Sequence, residues 1–224
     1  MLKSTKLRGK AAEDASVFMH DPKFSNMVTF LAVMSFAMMA STSGNYMSIV
    51  LKFFEERFNW DTDSKKDLGA AMINTVPAIG TIIGSGLGGN LMGRGRAMAF
   101  IAACCTGIAG SLITFWLNFI VFLIAKFIVG ASIGMMGVVV ARFIEEYVPL
   151  KWFGTSQAIS LACLQGGIFL STIVGAALPP DDDKEALKDT NSWIFIFSLQ
   201  PILLTVAIIL FLVLVRYDTP RFYI

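Results

Sequence analysis

One ionisable side chain, Lys126, lies well inside an apolar stretch of this sequence, residues 119–142. An ammonium group in hydrocarbon is costly unless a partner neutralises it or its long side chain reaches an aqueous interface. Lys126 therefore has three candidate roles: it pairs inside the protein, it extends to the nearer end of its stretch, or it binds a polar substrate. We favour pairing or extension over the substrate role.

Other residues that often carry chemistry lie where they do not favour it. Cys104, Cys105 and Cys163 are in apolar stretches without a CxxC motif or a nearby histidine, which predicts small core residues rather than a metal site. His20 precedes the first stretch. Residues 181–183 are three adjacent aspartates, for which a solvated acidic loop is favoured over a weak divalent-cation site. We find no nucleophile–base pair or phosphate loop, and expect no enzyme activity, metal, cofactor or nucleic acid.

The elements that position these residues are six long apolar stretches. Of the 224 residues 55% are hydrophobic and only 15% charged, whereas soluble domains carry about 25% charged residues. About 20 apolar residues cross a bilayer, and in lipid they must be helical because each backbone amide needs an internal partner. The predicted spans are residues 27–51, 68–92, 97–117, 119–142, 157–178 and 193–215. The sequence thus predicts an all-α membrane protein with a basic N-terminal arm (1–26), a six-helix transmembrane domain (27–215) and a C-terminal tail (216–224).

The distribution of charge predicts the orientation. The N-terminal arm, the 2–3 and 4–5 loops and the C-terminal tail, together with Arg142 at the end of the fourth span, contain eleven Lys and Arg and six Asp and Glu. The 1–2, 3–4 and 5–6 loops contain six Lys and Arg and ten Asp and Glu. Because Lys and Arg accumulate on the cytoplasmic side of membrane proteins, we expect both termini in the cytoplasm or in the matrix of an organelle. The plasma membrane and the mitochondrial inner membrane are the two alternatives.

Glycines recur at intervals of four residues in two of the predicted spans. The second span contains Gly80, Gly84 and Gly88, and the fourth contains Gly130 and Gly134. This spacing places the glycines of each span on one helix face, where a neighbouring helix can approach closely. The pattern predicts tight helix packing rather than a ligand site.

Four short segments in or next to the predicted spans are similar to known signatures. They are residues 89–96 (GNLMGRGR), similar to GxLADRxGRR; residues 126–130 (KFIVG), similar to RxxxG; residues 146–154 (EYVPLKWFG), similar to ExxPxxxRG; and residues 218–222 (DTPRF), similar to ESPRF. Together they resemble the N-terminal half of the major facilitator superfamily, in the branch of sugar porters and organic-ion transporters. The resemblance implies half of that transporter fold, with six transmembrane helices in two inverted three-helix repeats.

The resemblance also implies a charged gate at the inner end of the helices. The residues assigned to this gate and its charge network are Arg94, Arg96, Lys126, Glu145, Glu146, Asp218 and Arg221. Two departures bear on the assignment: Gly93 stands where the family has an aspartate, and Phe153 stands where it has an arginine.

A solute site is implied less directly. Sugar porters bind sugar through a glutamine of the fifth span, and alignment places Leu161 at that position. Gln165 lies about one helical turn further along, and Asn45 and Asn74 are further polar side chains near or in the first two spans. We take Asn45, Asn74 and Gln165 as candidate solute-binding residues. No carboxylate lies deep in a span, although proton coupling usually needs one.

These observations support two functions. In the first, which we favour slightly, the chain is a transporter-derived accessory or partner-dependent subunit of a larger membrane complex, because the gate motifs are altered and a second six-helix half is not seen. In the second, it transports a small polar solute, a sugar or an organic ion, as a dimer or with a separate second half. The expected partners are membrane lipids together with other membrane-protein subunits or that second half.

Overall fold

The computed structural model of the chain describes residues 22–44, 63–116, 118–175 and 192–215, and these residues form six α-helices. In chain order the helices are α1 (Pro22–Thr42), α2 (Asp63–Met92), α3 (Arg96–Ile113), α4 (Phe119–Tyr147), α5 (Leu150–Gly175) and α6 (Ser192–Leu214). All six are long and apolar enough to cross a membrane. The predicted all-α class and the six spans are therefore confirmed.

Several helices extend beyond the apolar stretches that predicted them. α1 begins at Pro22, inside the segment assigned to the N-terminal arm, and α2 begins at Asp63. α4 continues to Tyr147 and α5 begins at Leu150, so the charged residues assigned to the 4–5 loop are largely helical. The reason is that the hydrogen-bonded backbone continues through polar residues, while hydropathy reports only the part that crosses lipid.

Two short connections force their neighbouring helices to run antiparallel. Gly95 precedes α3 with a φ of 144°, a backbone conformation that glycine adopts readily and other residues do not. Asn118 precedes α4, and its side chain accepts a hydrogen bond from the Ile120 amide at 3.0 Å, which satisfies one of the free amides at the start of that helix.

The helix contacts follow the pattern of two inverted repeats, α1–α3 and α4–α6. α4 packs on α2 and α3, and correspondingly α1 packs on α5 and α6. α1 and α4 also contact each other, as do α3 and α6. We refer to the end of the bundle where α1 begins as the N-terminal end, and to the other as the opposite end. α2, α4 and α6 finish at the N-terminal end, whereas α3 and α5 begin there.

The predicted glycine faces lie in the contact between α2 and α4, the most extensive of the bundle. A Cβ atom at Gly80 or Gly84 would overlap the backbone of α4, and one at Gly88 would lie 2.9 Å from Met135 Cα. Conversely, a Cβ atom at Gly130 or Gly134 would overlap the backbone of α2. The two backbones therefore touch along several turns.

A chain of aromatic rings crosses the core near the N-terminal end. Phe30 of α1 lies edge-on to Phe143 of α4 with ring centroids 5.6 Å apart, and Phe143 lies 6.1 Å from Phe211 of α6. Phe211 in turn stacks on Phe100 of α3 at 4.3 Å. These four buried rings join α1, α3, α4 and α6 into one core.

The outer surfaces of the helices are apolar and suited to lipid. α6, for example, exposes Phe195, Ile202 and Leu212.

The expectation for the cysteines holds only in part: Cys104 is buried in the core, but Cys105 is exposed on α3 and Cys163 is partly exposed.

Candidate functional site

An ion pair between Arg96 and Glu146 joins the start of α3 to the end of α4. Arg96 donates to the carboxylate through Nε at 3.2 Å and through Nη2 at 2.5 Å. Its Nη1 donates to the carbonyl of Met92 at 3.2 Å. The side chains are only 22% and 9% exposed, so the pair is screened less than a surface pair. A single guanidinium thus links the ends of α2, α3 and α4.

The other predicted gate residues do not join this pair. Glu145 accepts a hydrogen bond from Arg142 at 2.8 Å, within α4, and both side chains are largely exposed. Arg94 is exposed in the turn between α2 and α3, and no ion pair to it is seen within the described segments. Asp218 and Arg221 lie outside the described residues. Of the predicted gate residues that the structure describes, Arg96 and Glu146 therefore bridge two helices, whereas Glu145 pairs with Arg142 inside α4.

A shallow cavity of about 320 Å³ lies beside the Arg96–Glu146 pair. Gly89 of α2 and Gly93 of the turn after it line the cavity, as do Val138 and Arg142 of α4, in addition to the two paired residues. Gly93 is the position where the resembling family has an aspartate, and here it adds no charge. The cavity combines two arginines with one carboxylate.

Lys126 belongs to the opposite end of the bundle and is fully buried. Its Nζ donates to the carbonyl of Gly44 at 3.0 Å and lies 5.2 Å from the centroid of the Phe122 ring. Lys126 thus bonds inside the protein and does not extend to an interface. Its positive charge also lies at the C-terminal end of α1, where free carbonyls and the helix dipole favour a cation.

Gln200 was missed by the sequence analysis, and the structure places it in a buried hydrogen-bond network. Its Nε2 donates to the carbonyl of Ser41 at 2.7 Å, and its Oε1 accepts from Ser111 Oγ at 2.7 Å. The network joins α6 to α1 and α3 within the same end of the bundle as Lys126. A lone amide inside the most apolar helix was the available signal, because a buried amide requires partners.

The candidate solute-binding residues are not brought together. Asn74 is exposed on α2 and donates to the carbonyl of Ala70 in its own helix at 2.9 Å. Gln165 is exposed on α5, and α2 packs on α4 whereas α5 packs on α1. Asn45 lies outside the described residues. Asn74 and Gln165 thus mark two polar points on flanking helices of the bundle.

Comparison with solved structures identifies the fold. The xylose transporter XylE from E. coli, in an inward open conformation, superposes with a TM-score of 0.68 at 17% identity, over 89% of this chain and 49% of that one. XylE bound to 6-bromo-6-deoxy-D-glucose, described as a major facilitator superfamily proton:xylose symporter, gives 0.69 at 14% identity, over 88% and 46%. The chain therefore has the fold of a six-helix half of a major facilitator superfamily transporter, as predicted.

Comparison of sequences identifies the family. The profile described as "Sugar (and other) transporter" matches residues 26–224, and the chain belongs to this family. It is 27% identical over 161 residues to hexose transporter 1 of Toxoplasma gondii, which covers 68% of this chain and 28% of that protein. It is 33% identical over 113 residues to vacuolar protein sorting-associated protein 73 of Saccharomyces cerevisiae, covering 50% and 23%. The matches thus span less than a third of these relatives. With six membrane-spanning helices, the chain is an integral multi-pass membrane protein of the sugar-transporter type.

Proposed function

We propose that this chain forms one six-helix wall of a transporter for a sugar-like solute, with the other wall supplied by a second six-helix unit. The observation that carries the proposal is the Arg96–Glu146 pair. It lies where two segments with family signatures meet, residues 89–96 and 146–154, and it links three helix ends. In carriers of this fold the solute binds between two halves that rock against each other, and the pair would keep three helix ends of this half together at one end.

The comparisons favour this function over the accessory-subunit hypothesis. That hypothesis depended on the altered gate motifs, on the unseen second half and on the absence of a membrane-embedded carboxylate. The substitutions at Gly93 and Phe153 are real, but the bridging pair formed by Arg96 and Glu146 is retained. A guanidinium that donates to both carboxylate oxygens is also the strongest type of ion pair.

The electrostatics of the pair suit a reversible contact. Both side chains are partly solvated at the mouth of the shallow cavity, so opening exchanges protein hydrogen bonds for water instead of leaving charges in hydrocarbon. Arg96 also donates to Met92, at the end of α2. The pair therefore links the end of α2 to the ends of α3 and α4. We infer that this end faces the cytoplasm or an organelle matrix, which is also where we place both termini.

Asn74 and Gln165 would take part in solute binding by facing the second wall. Amide side chains exposed in mid-membrane are unfavourable against lipid, so they are expected to face a polar cavity or a protein surface. A sugar presents several hydroxyl groups, and amides can both donate and accept the hydrogen bonds that those groups need. The candidates therefore fit a sugar better than an apolar solute.

The function is tested by uptake of radiolabelled glucose and xylose in cells without hexose carriers of their own. The chain is expressed alone and together with the C-terminal six-helix unit of a sugar porter. We expect saturable uptake when two six-helix units are present, lost in Arg96→Glu and partly restored in the charge exchange Arg96→Glu/Glu146→Arg. Removing an exposed charge at the opposite end, in Lys65→Gln, is the matched control and should leave uptake unchanged.

The accessory-subunit hypothesis gives a different outcome in the same cells. No combination would then take up sugar, and the chain would copurify in mild detergent with unrelated membrane subunits. Orientation is tested separately by labelling single cysteines at positions 16 and 182 in sealed membranes. Labelling of both positions from the same side would contradict the proposed topology.

A further inference from the structure

The two helix pairs that the inverted repeat makes equivalent, α2–α4 and α1–α5, are packed differently. Along α2–α4 the backbones touch through the interlocking glycines, and Thr81 Oγ1 donates across the contact to the Gly130 carbonyl at 3.2 Å. The contact between α1 and α5 is less extensive. The repeat symmetry therefore relates one tightly held helix, α2, to one loosely held helix, α5.

A cavity of about 400 Å³, open to the outside, lies between α1 and α5 over the middle of the pair. Val28, Ala32, Ser35 and Phe36 line it from α1, and Ile159 and Cys163 line it from α5. Apolar side chains across a gap of this size lose the dispersion contacts that a closed interface would give them. The cavity is therefore a place where the two helices gain contacts by moving together.

Two buried hydroxyl groups on this helix pair have no hydrogen-bond partner among the described residues. They are Ser35 Oγ on α1 and Ser160 Oγ on α5. Both residues are at least nine-tenths buried. Because nearly all buried polar groups in proteins are satisfied, another relative position of α1 and α5 that gives these hydroxyls partners would be favoured.

Among the described residues, a side-chain hydrogen bond joins the two helices towards the opposite end of the bundle. Near the opposite end, Thr42 Oγ1 donates to the Leu164 carbonyl at 2.7 Å. A Cβ atom at the adjacent Gly167 would overlap Met39 and Thr42, so the backbones are in close contact there. At the N-terminal end the described ring contact is between Phe24 and Trp152, with centroids 6.4 Å apart and planes tilted by 59°. α5 therefore has backbone contact and a hydrogen bond to α1 near Gly167, whereas side-chain packing of Trp152 and Phe153 holds its start.

The four-ring aromatic chain described above includes no residue of α5. The four-ring chain from Phe30 to Phe100 joins α1, α3, α4 and α6. The contacts of α5 with α4 and α6 are small compared with its contact with α1. The four-ring chain therefore contains no residue of α5 and does not depend on the α1–α5 contact.

We propose that α5 is the mobile helix of this bundle: it swings about the Thr42–Gly167 contact and opens or closes the α1–α5 cavity, while α2 stays fixed on α4. Closing brings apolar side chains into contact and carries the Ser35 hydroxyl towards α5. Packed helix interfaces commonly have discrete arrangements that differ by small shifts. The proposal concerns the bundle itself and does not depend on sugar transport.

Distance measurements between spin labels test the proposal in the full chain, reconstituted in lipid nanodiscs. One pair, at Ser25 and Thr155, reports on the starts of α1 and α5. The control pair, at Asn90 and Ala141, reports on α2 and α4 at the same end of the bundle. The three native cysteines are replaced by alanine. We expect a broad or two-peaked distribution, separated by several ångströms, for the first pair and a single narrow peak for the second.

A bulky substitution in the cavity provides a second test of the proposal. Ala32→Phe fills the space next to α5 and should leave only the longer of the Ser25–Thr155 distances. Ala78→Phe, on the exposed face of α2, is the matched control and should change neither pair. Hydrogen exchange of the unmodified chain tests the same motion without replacing the cysteines. Residues 151–160 are expected to exchange faster than residues 80–90. Ala32→Phe is expected to slow the exchange of residues 151–160. Equal widths for the two label pairs, or equal exchange in the two segments, would overturn the proposal.

Discussion

Substitution of Gly84 by alanine tests the central packing contact of this bundle. A Cβ atom at Gly84 would overlap the carbonyl oxygen, the carbonyl carbon and the Cα of Ala131 on α4. These are backbone atoms of a helix, so they cannot move aside as the end of a flexible side chain can. The added methyl group therefore forces α2 and α4 apart along a contact that glycines at positions 80 and 88 also need.

The expected loss of stability in Gly84→Ala follows from this overlap, and a second glycine of the same helix provides a reference. Overpacking a close contact costs about 1–3 kcal/mol, and separation of the two helices here also weakens the hydrogen bond from Thr81 to Gly130. The same substitution at Gly86, on the same helix, meets no atom within 4 Å. Gly86→Ala should stabilise the helix by about 0.5–1 kcal/mol, because alanine loses less backbone entropy on folding. Each variant thus adds one methyl group, and the two are expected to change the free energy of unfolding in opposite directions.

Unfolding of the purified chain in mild detergent measures both effects. Fractional unfolding is followed by circular dichroism during titration with a denaturing detergent, and the free energies are compared with that of the unsubstituted chain. In Gly88→Ala the added Cβ would lie 2.9 Å from Met135 Cα. The free energy of unfolding of this variant should lie between those of the other two. If Gly84→Ala is as stable as Gly86→Ala, the helices are not in backbone contact and the reasoning is refuted.

Three further predictions concern the polar residues and use the same unfolding assay. Arg96→Gln should cost about 1.5–3 kcal/mol, since it breaks charge-assisted hydrogen bonds in a mostly buried pair, whereas Arg142→Gln removes an exposed pair worth about 0–1 kcal/mol; equal costs would contradict the unequal burial. Gln200→Leu should cost about 1–3 kcal/mol because it leaves the buried carbonyl of Ser41 without its partner, and a neutral result would contradict the network. Lys126→Met should cost less than Lys126→Ala, because methionine fills most of the lysine volume and removes a buried charge, and the reverse order would show that the charge itself is required.

The predicted gate shows how far sequence reasoning reached. The charges at the ends of the second, third and fourth spans indicated a cluster, and the family signatures indicated that these ends meet. The identity of the acid that pairs with Arg96 was decided by geometry. Successive residues on a helix point about 100° apart, so Glu146 faces α3 while Glu145 remains beside Arg142. A difference of one position along α4 separates a bridging pair from a surface pair.

The sequence by itself determined the number of helices, most of the residues that form them and the close-packed face of α2. Each of these depends on a local property: hydrocarbon requires an apolar helix, and glycines spaced by four lie on one face. Only the tertiary structure decided the partner of Lys126, the network of Gln200 and the cavity between α1 and α5. The carbonyls of Gly44 and Ser41 belong to the backbone, which every residue has, so no residue type marks them as partners. A cavity is likewise a property of how two helices cross, and neither helix carries it alone.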